Sequence, residues 1–473
     1  MFRALEAVVF LVVVACVHWP EARAQTAAPP FPLGAVIPDV TVVQNSQQTY
    51  ALYLPKRYSP NSRWPVVYVF DPLARGELAL GQFEHAAERN GFIVAASNNS
   101  RNGPWAPQIE AAEAMVSDTR QRFSIDTRRI YFAGFSGGAR VSSQLALRCK
   151  CAAGVLLSGA GFPHSAPPST DVKFAVFSAV GNADFNYSEM VPLQEQLEEV
   201  TLPHWLRVFD GPHEWAPPEV MNEALAWLRL QAIRAGLAAR DDELTAAQLK
   251  AARERAALFE LSGDLLSAWR EYRQIAATFD SLADIGSDRS KSAALERDKA
   301  VRDGQKHERS AFAEQDRLSD GVLAAVLATS ANSADAASRP AQSAQQSAQQ
   351  SAHDLRRRSL NEKKPDRALI FKRALGGVSI GSIEAGNAAV EKKDYWLAAR
   401  YFACAAEANP ESEWVFRRLA VARALSGDRA GTIESLRAAR KLTKNFESFS
   451  EWCEQENAFA ELRGKPDFKA IAE

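Results

Sequence analysis

Gly134-Phe135-Ser136-Gly137-Gly138 is where residue types and spacing in this 473-residue chain most directly suggest covalent chemistry. Taken alone, G-x-S-x-G arises by accident in many chains. Here it follows a β-branched and aromatic run, residues 130–133, and opens an amphipathic segment near Gly138, a strand–turn–helix setting. Such a turn lifts a serine hydroxyl above a sheet edge, with glycines where a Cβ would collide. The plainer reading is a tight turn whose serine caps the helix. A serine hydroxyl needs a base within hydrogen-bond reach to attack near neutral pH. His213 follows the run at residues 205–209 and is the expected base. His164, after residues 154–158, is the reserve; His204 opens a strand, and His85, His307 and His353 fall in helical segments. Asp184, just after residues 172–180, is the expected partner that fixes the imidazole tautomer.

An oxyanion formed at Ser136 needs two donors. The backbone N–H of Gly137 is one. The loop after residues 65–70 reads Asp71-Pro72-Leu73, and because proline has no N–H, Leu73 is the expected second donor. Residues 97–105 form another strand-end loop. Asn98 and Asn99 could orient a substrate there, with Trp105 or Trp215 as an aromatic wall. Turn chemistry alone also explains this composition.

These residues need a scaffold that brings strand ends together. Residues 36–43 and 48–54 read as an antiparallel hairpin turning at Asn45-Ser46. Continuous apolar runs at 65–70, 92–97, 130–134 and 154–158 read as strands buried on both faces, with further strands at 172–180 and 205–209. Amphipathic segments at 80–89, 109–123, 138–148, 188–199 and 218–238 lie between and after them. Strand–helix alternation predicts an α/β fold with a mostly parallel sheet and helices on both faces. In such sheets function collects at the C-terminal ends of the strands, where the candidates lie in the order Ser136, Asp184, His213.

Together with Gly211-Pro212-His213-Glu214-Trp215-Ala216-Pro217, the Gly134–Gly138 pentapeptide resembles the secreted polyhydroxybutyrate depolymerase and feruloyl esterase group of α/β-hydrolases. The resemblance covers roughly residues 34–238. It implies hydrolysis of a small or polymeric ester through Ser136, Asp184 and His213, with no metal and no cofactor. Asp71-Pro72-Leu73 stands where that group often has His-Gly-Gly, a departure at the oxyanion loop. A peptidase on the same fold, or an inactive hydrolase fold kept as a scaffold, are the alternatives.

Beyond residue 240 strand signals give way to Ala, Glu, Arg and Leu at helical spacing. Gly386, Ala398, Phe402, Ala405 and Pro410 stand where a 34-residue tetratricopeptide repeat has its small, aromatic and proline positions. Leu419, Ala420, Leu436 and Ala439 recur in register, and a poorer copy runs over 250–279 with Ala256, Ala268 and Tyr272. Gly263-Asp264, Lys393-Asp394 and Gly427-Asp428 are the matching turns. Stacked helix pairs of this kind present surfaces to a protein or peptide partner; a generic helical bundle is the plainer reading. Residues 330–356 contain SAQQSAQQSA, with too few large apolar side chains for a core, and are expected to be a flexible linker. The expected organisation is therefore a leader at 1–24, the α/β-hydrolase domain at 25–240, and helical segments at 241–329 and 357–473.

The leader reading rests on Arg3, an apolar run at 7–17 and Ala22-Arg23-Ala24, an export pattern that predicts a periplasmic or secreted protein. Cys16, in Val13-Val14-Ala15-Cys16, offers the alternative of a lipid anchor at a membrane. Five cysteines are too few for a disulfide framework, and Cys149 and Cys151 are expected to be unpaired buried residues. A formal net charge of −1 gives no general attraction to nucleic acid.

Overall fold

A computed structural model describes residues 31–328 and 339–472, with the backbone alone over 339–346. The leader residues and Cys16 lie outside the described residues. The chain divides into two compact units, one reaching Glu308 and one beginning at Arg309.

The first unit is built on eight strands: β1 (Val36–Val42), β2 (Asn45–Tyr53), β3 (Trp64–Phe70), β4 (Ile93–Ser97), β5 (Ile125–Phe135), β6 (Ala152–Ser158), β7 (Ala175–Gly181) and β8 (His204–Phe209). They form one sheet in the order β1-β2-β4-β3-β5-β6-β7-β8. β2 runs antiparallel to β1 and β4, and the pairs from β4 to β8 are parallel. The hairpin turn falls at Val43-Gln44, two residues earlier than expected, with Asn45 already paired to Val42. The Val43 N–H is held by Asp118 Oδ1 at 2.9 Å, which fixes the turn there.

Between the strands run α1 (Gly76–Gly81), α2 (Glu84–Asn90), α3 (Trp105–Arg122), α4 (Gly137–Cys149), α5 (Tyr187–Met190) and α6 (Leu193–Glu199), with α7 (Pro218–Arg234) after β8. Alternate strand residues face opposite layers. Val67, Val69, Val94 and Tyr131 join a core with Leu80, Ala87 and Leu225 from α1, α2 and α7. On the other face, Tyr68 Oη lies 2.9 Å from Thr119 Oγ1 of α3, and Tyr50 donates to Asp118. Both faces are covered, which is why the central strands read as continuous apolar runs. This is the expected α/β-hydrolase architecture.

The division expected near residue 240 is not a division of the core. Helices α8 (Asp242–Ser262) and α9 (Leu265–Phe279) place Leu249, Ala256, Tyr272 and Ile275 in one cluster with Trp205 and Trp227. Trp227 Nε1 donates to Thr278 at 3.0 Å, and Gln274 Oε1 accepts the N–H of edge-strand residue Leu206 at 2.6 Å. The helices thus cap a sheet edge that would otherwise expose unpaired backbone. α10 (Gly286–Glu296) and α11 (Lys299–Ala328) follow.

In the second unit α12 (Arg339–Asn361) makes residues 339–356 of the expected flexible linker helical, and residues 330–338 of it lie outside the described residues. Alanine and glutamine are good helix formers, and Ala348, Ala352 and Leu355 are buried in the unit's core. Then come α13 (Pro365–Glu391), α14 (Tyr395–Ala408), α15 (Glu413–Leu425), α16 (Arg429–Leu442), α17 (Phe446–Gln455) and α18 (Pro466–Ala472). Gly386 of α13 lies against the Phe402 ring of α14, where a Cβ would come within 2.6 Å of the ring. The three aspartate turns are built alike. Gly263, Lys393 and Gly427 each take positive φ, and Asp264, Asp394 and Asp428 each accept a backbone N–H at the start of the next helix.

Cys149 and Cys151 are paired as a disulfide and partly exposed, correcting the expectation of two unpaired buried residues. Lys150 between them takes φ 51°, which folds the two cysteines toward each other as α4 ends.

Candidate active site

Parallel pairing brings the ends of five strands to one edge: Phe70 pairs with Gly134, Phe135 with Ser158, Ser158 with Ala179 and Gly181 with Phe209. Ser136 sits between β5 and α4 at φ 52°, ψ −122°, a backbone conformation that costs on the order of 1–3 kcal/mol and persists only where its surroundings impose it. Its N–H donates to Ser158 O at 2.8 Å. A Cβ on Gly134 would overlap the Gly138 carbonyl, and one on Gly138 would overlap the Phe70 carbonyl. The two glycines therefore let α4 start directly against the end of β3.

The Ser136 hydroxyl makes no helix-capping bond. Its Oγ lies 2.9 Å from His213 Nε2. On the opposite side of the ring, Nδ1 is 2.9 Å from both carboxylate oxygens of Asp184. Asp184 is fully buried and also accepts the Asn186 N–H at 2.8 Å. An ionised carboxylate only accepts, so Nδ1 carries the proton and Nε2 is left to accept from Ser136. The imidazole is held between Phe135 and Phe185, with ring centroids 4.6 and 4.2 Å away. Gly159, at φ +66°, leaves room beside this pair: its Cβ would lie 3.2 Å from both Asp184 Oδ2 and His213 Cε1. The reserve candidate His164 is exposed and hydrogen-bonds to no described residue.

The N–H of Gly137 opens α4 and, as a first-turn donor, has no partner within the helix. Leu73 corrects the expectation. Its N–H already donates to Asp71 Oδ1 at 2.9 Å, so it has no proton for an oxyanion. Asp71 is a buried hub that the sequence reading passed over: it also takes the Arg75 fork at 2.9 Å and the indole N–H of Trp215 at 2.9 Å.

The expected substrate contacts divide. Asn98 donates to Pro38 O, Asp39 and Thr49, and Asn99 accepts from Thr49 N and donates to Gln47 O. Both amides therefore tie the loop to the β1–β2 hairpin instead of facing the serine. Trp215 is buried against Phe83 and Phe135 and supports the histidine loop. Trp105, 41% exposed at the start of α3, remains available. Asn102 is the loop residue that reaches the elbow. Its exposed carboxamide lies so close over Gly137 that a Cβ there would collide with it, and it hydrogen-bonds to no described residue through that amide.

No family model matches the chain, and no curated protein matches it. Among solved structures, S-formylglutathione hydrolase from Staphylococcus aureus is 15% identical with a TM-score of 0.33, over 38% of this chain and 90% of that one. An esterase from Pyrobaculum calidifontis is 12% identical with a TM-score of 0.36, over 43% of this chain and 87% of that one. An esterase from Mycobacterium marinum is 18% identical with a TM-score of 0.34, over 41% and 82%. At these scores the likenesses carry no argument about activity.

Proposed function

We propose that the chain is an exported serine hydrolase that cleaves carboxylic esters through Ser136, His213 and Asp184. The observation that carries this reading is the continuous hydrogen-bonded line from Ser136 Oγ through the imidazole to the buried Asp184. His213 takes the Ser136 proton as Oγ attacks the ester carbonyl. Asp184 holds the tautomer and balances the imidazolium. The Gly137 N–H stabilises the oxyanion, and the Asn102 carboxamide, whose Oδ1 lies nearest Gly137, becomes the second donor once its amide turns Nδ2 toward the oxyanion. Collapse of the tetrahedral species releases the alcohol, protonated by His213, and leaves an acyl-Ser136 that water hydrolyses. Hydrolysis of an aryl acetate by the full chain tests this, with Ser136→Ala expected to lower kcat by at least about 10⁴-fold. Near-normal turnover by that variant would remove Ser136 from the mechanism.

Export rests on the leader pattern ending at Ala22-Arg23-Ala24, and the Cys149–Cys151 disulfide is in keeping with an oxidising compartment. For the second unit we read a tetratricopeptide-like surface for a protein or peptide, supported by the repeated aspartate turns and by Gly386 seated on Phe402.

A further inference from the structure

We propose a second site, for a phosphate monoester group, at the sheet edge opposite Ser136. A cavity of about 270 Å³ opens beside Trp64 at the start of β3, Gly91 at the end of α2, Tyr131 of β5 and Arg229 of α7. The parallel strands begin here and end at the catalytic edge, so the two sites lie at opposite ends of the sheet.

Arg57, Arg63, Arg129 and Arg229 line the cavity, and no acidic residue does. Two of them are neutralised from outside it: Arg129 by Asp126 at 2.8 Å and Arg229 by Asp241 at 2.6 Å. The guanidinium groups of Arg57 and Arg63 make no hydrogen bond or ion pair with a described residue, and both residues are exposed. Glu88 lies within electrostatic reach of Arg57, but its carboxylate already accepts from Tyr53 Oη and the Lys56 N–H. The cavity therefore carries two charges that the protein leaves unpaired.

One of these charges, on Arg57, is also positioned. Gly91 takes φ +74°, and a Cβ there would come within 2.5 Å of Arg57 Nη2, so the missing side chain is what lets the guanidinium lie across the floor. The Arg63 carbonyl accepts from Arg129 Nη2 at 3.2 Å, which holds the start of β3 against β5. Beneath them Phe92 and Tyr131 pack edge to face, 5.5 Å between centroids, as a buried apolar floor.

Planar guanidinium forks match phosphate oxygens in geometry as well as charge. Two unpaired cations suit a monoester, which is close to a dianion at neutral pH. The volume, below the range typical of drug-sized ligands, holds the phosphate and a compact organic group. The same chemistry is offered by a free phosphate ester and by the headgroup of phosphatidic acid.

The test is titration calorimetry of the full chain with glycerol 3-phosphate, at fixed ionic strength in chloride buffer. It is paired with co-sedimentation on phosphatidylcholine vesicles with and without phosphatidic acid. Arg57→Ala and Arg63→Ala alter exposed, unpaired side chains, so unchanged thermal unfolding is expected for both. Each should weaken binding about tenfold or more, and the double variant should abolish it. Binding of glycerol 3-phosphate identifies a soluble ligand; binding confined to phosphatidic acid vesicles identifies the headgroup. No binding in either arm, or binding undiminished in the double variant, overturns the proposal.

Discussion

Trp215 Nε1 donates to Asp71 Oδ2 across 2.9 Å, joining the loop that carries His213 to the loop that follows β3. The same carboxylate orders Leu73 and Arg75, and the Trp215 ring rests 5.5 Å from Phe135, which in turn flanks His213. One buried side chain thus braces both sides of the candidate site.

Asp71→Ala leaves the Leu73 and Trp215 N–H groups and the Arg75 cation without their acceptor. Arg75 is largely solvated, so the cost is set by the stranded Leu73 and Trp215 N–H groups, about 1–3 kcal/mol, read as a lower urea midpoint at an unchanged slope. The loosened His213 loop also lowers kcat on an aryl ester. Unchanged stability and turnover would show that the hub braces nothing.

Asn102→Ala tests the proposed second oxyanion donor. Asn102 is exposed, so its loss is expected to leave the fold intact while lowering kcat about 10²-fold with little change in KM. An unchanged kcat in Asn102→Ala would remove its amide from the oxyanion hole.

The thiols of Cys404 and Cys453 give a check of the second unit that needs no substrate. Burial pushes Cys404 up to about 11 and Cys453 up to about 12, so neither is a thiolate at ordinary pH. Alkylation of Cys404 and Cys453 in the native protein, read by peptide mapping, is therefore expected to stay negligible from pH 7 to 9, with both residues reacting on unfolding in guanidinium chloride. Rapid native labelling of either would contradict the packing of this unit.

Ser136, Asp184 and His213 were legible in the sequence because each follows a strand run, and parallel strands end on one edge. What escaped depends on which strands are neighbours and where loops travel. Asn98 and Asn99 look like pocket residues until β2 is placed beside β4, where their amides meet the hairpin backbone. Asp71 carried a readable signal: aspartate two residues before Leu73 commonly accepts that residue's N–H in a turn. Helical periodicity identified α8 and α9 but not the core they join, which Trp205 and Trp227 decide. The alanine–glutamine stretch lacks large apolar residues, yet small ones suffice where α12 approaches its neighbours closely, as Ala348 and Ala352 show.

The central claim is that Ser136 is activated by His213. Labelling of the full chain with a fluorophosphonate probe, followed by mapping of the modified peptide, tests it most directly. The account predicts modification of Ser136 alone, abolished in His213→Ala under conditions where that variant remains folded. A folded wild-type protein that is not labelled, or equal labelling of the His213 variant, would contradict it.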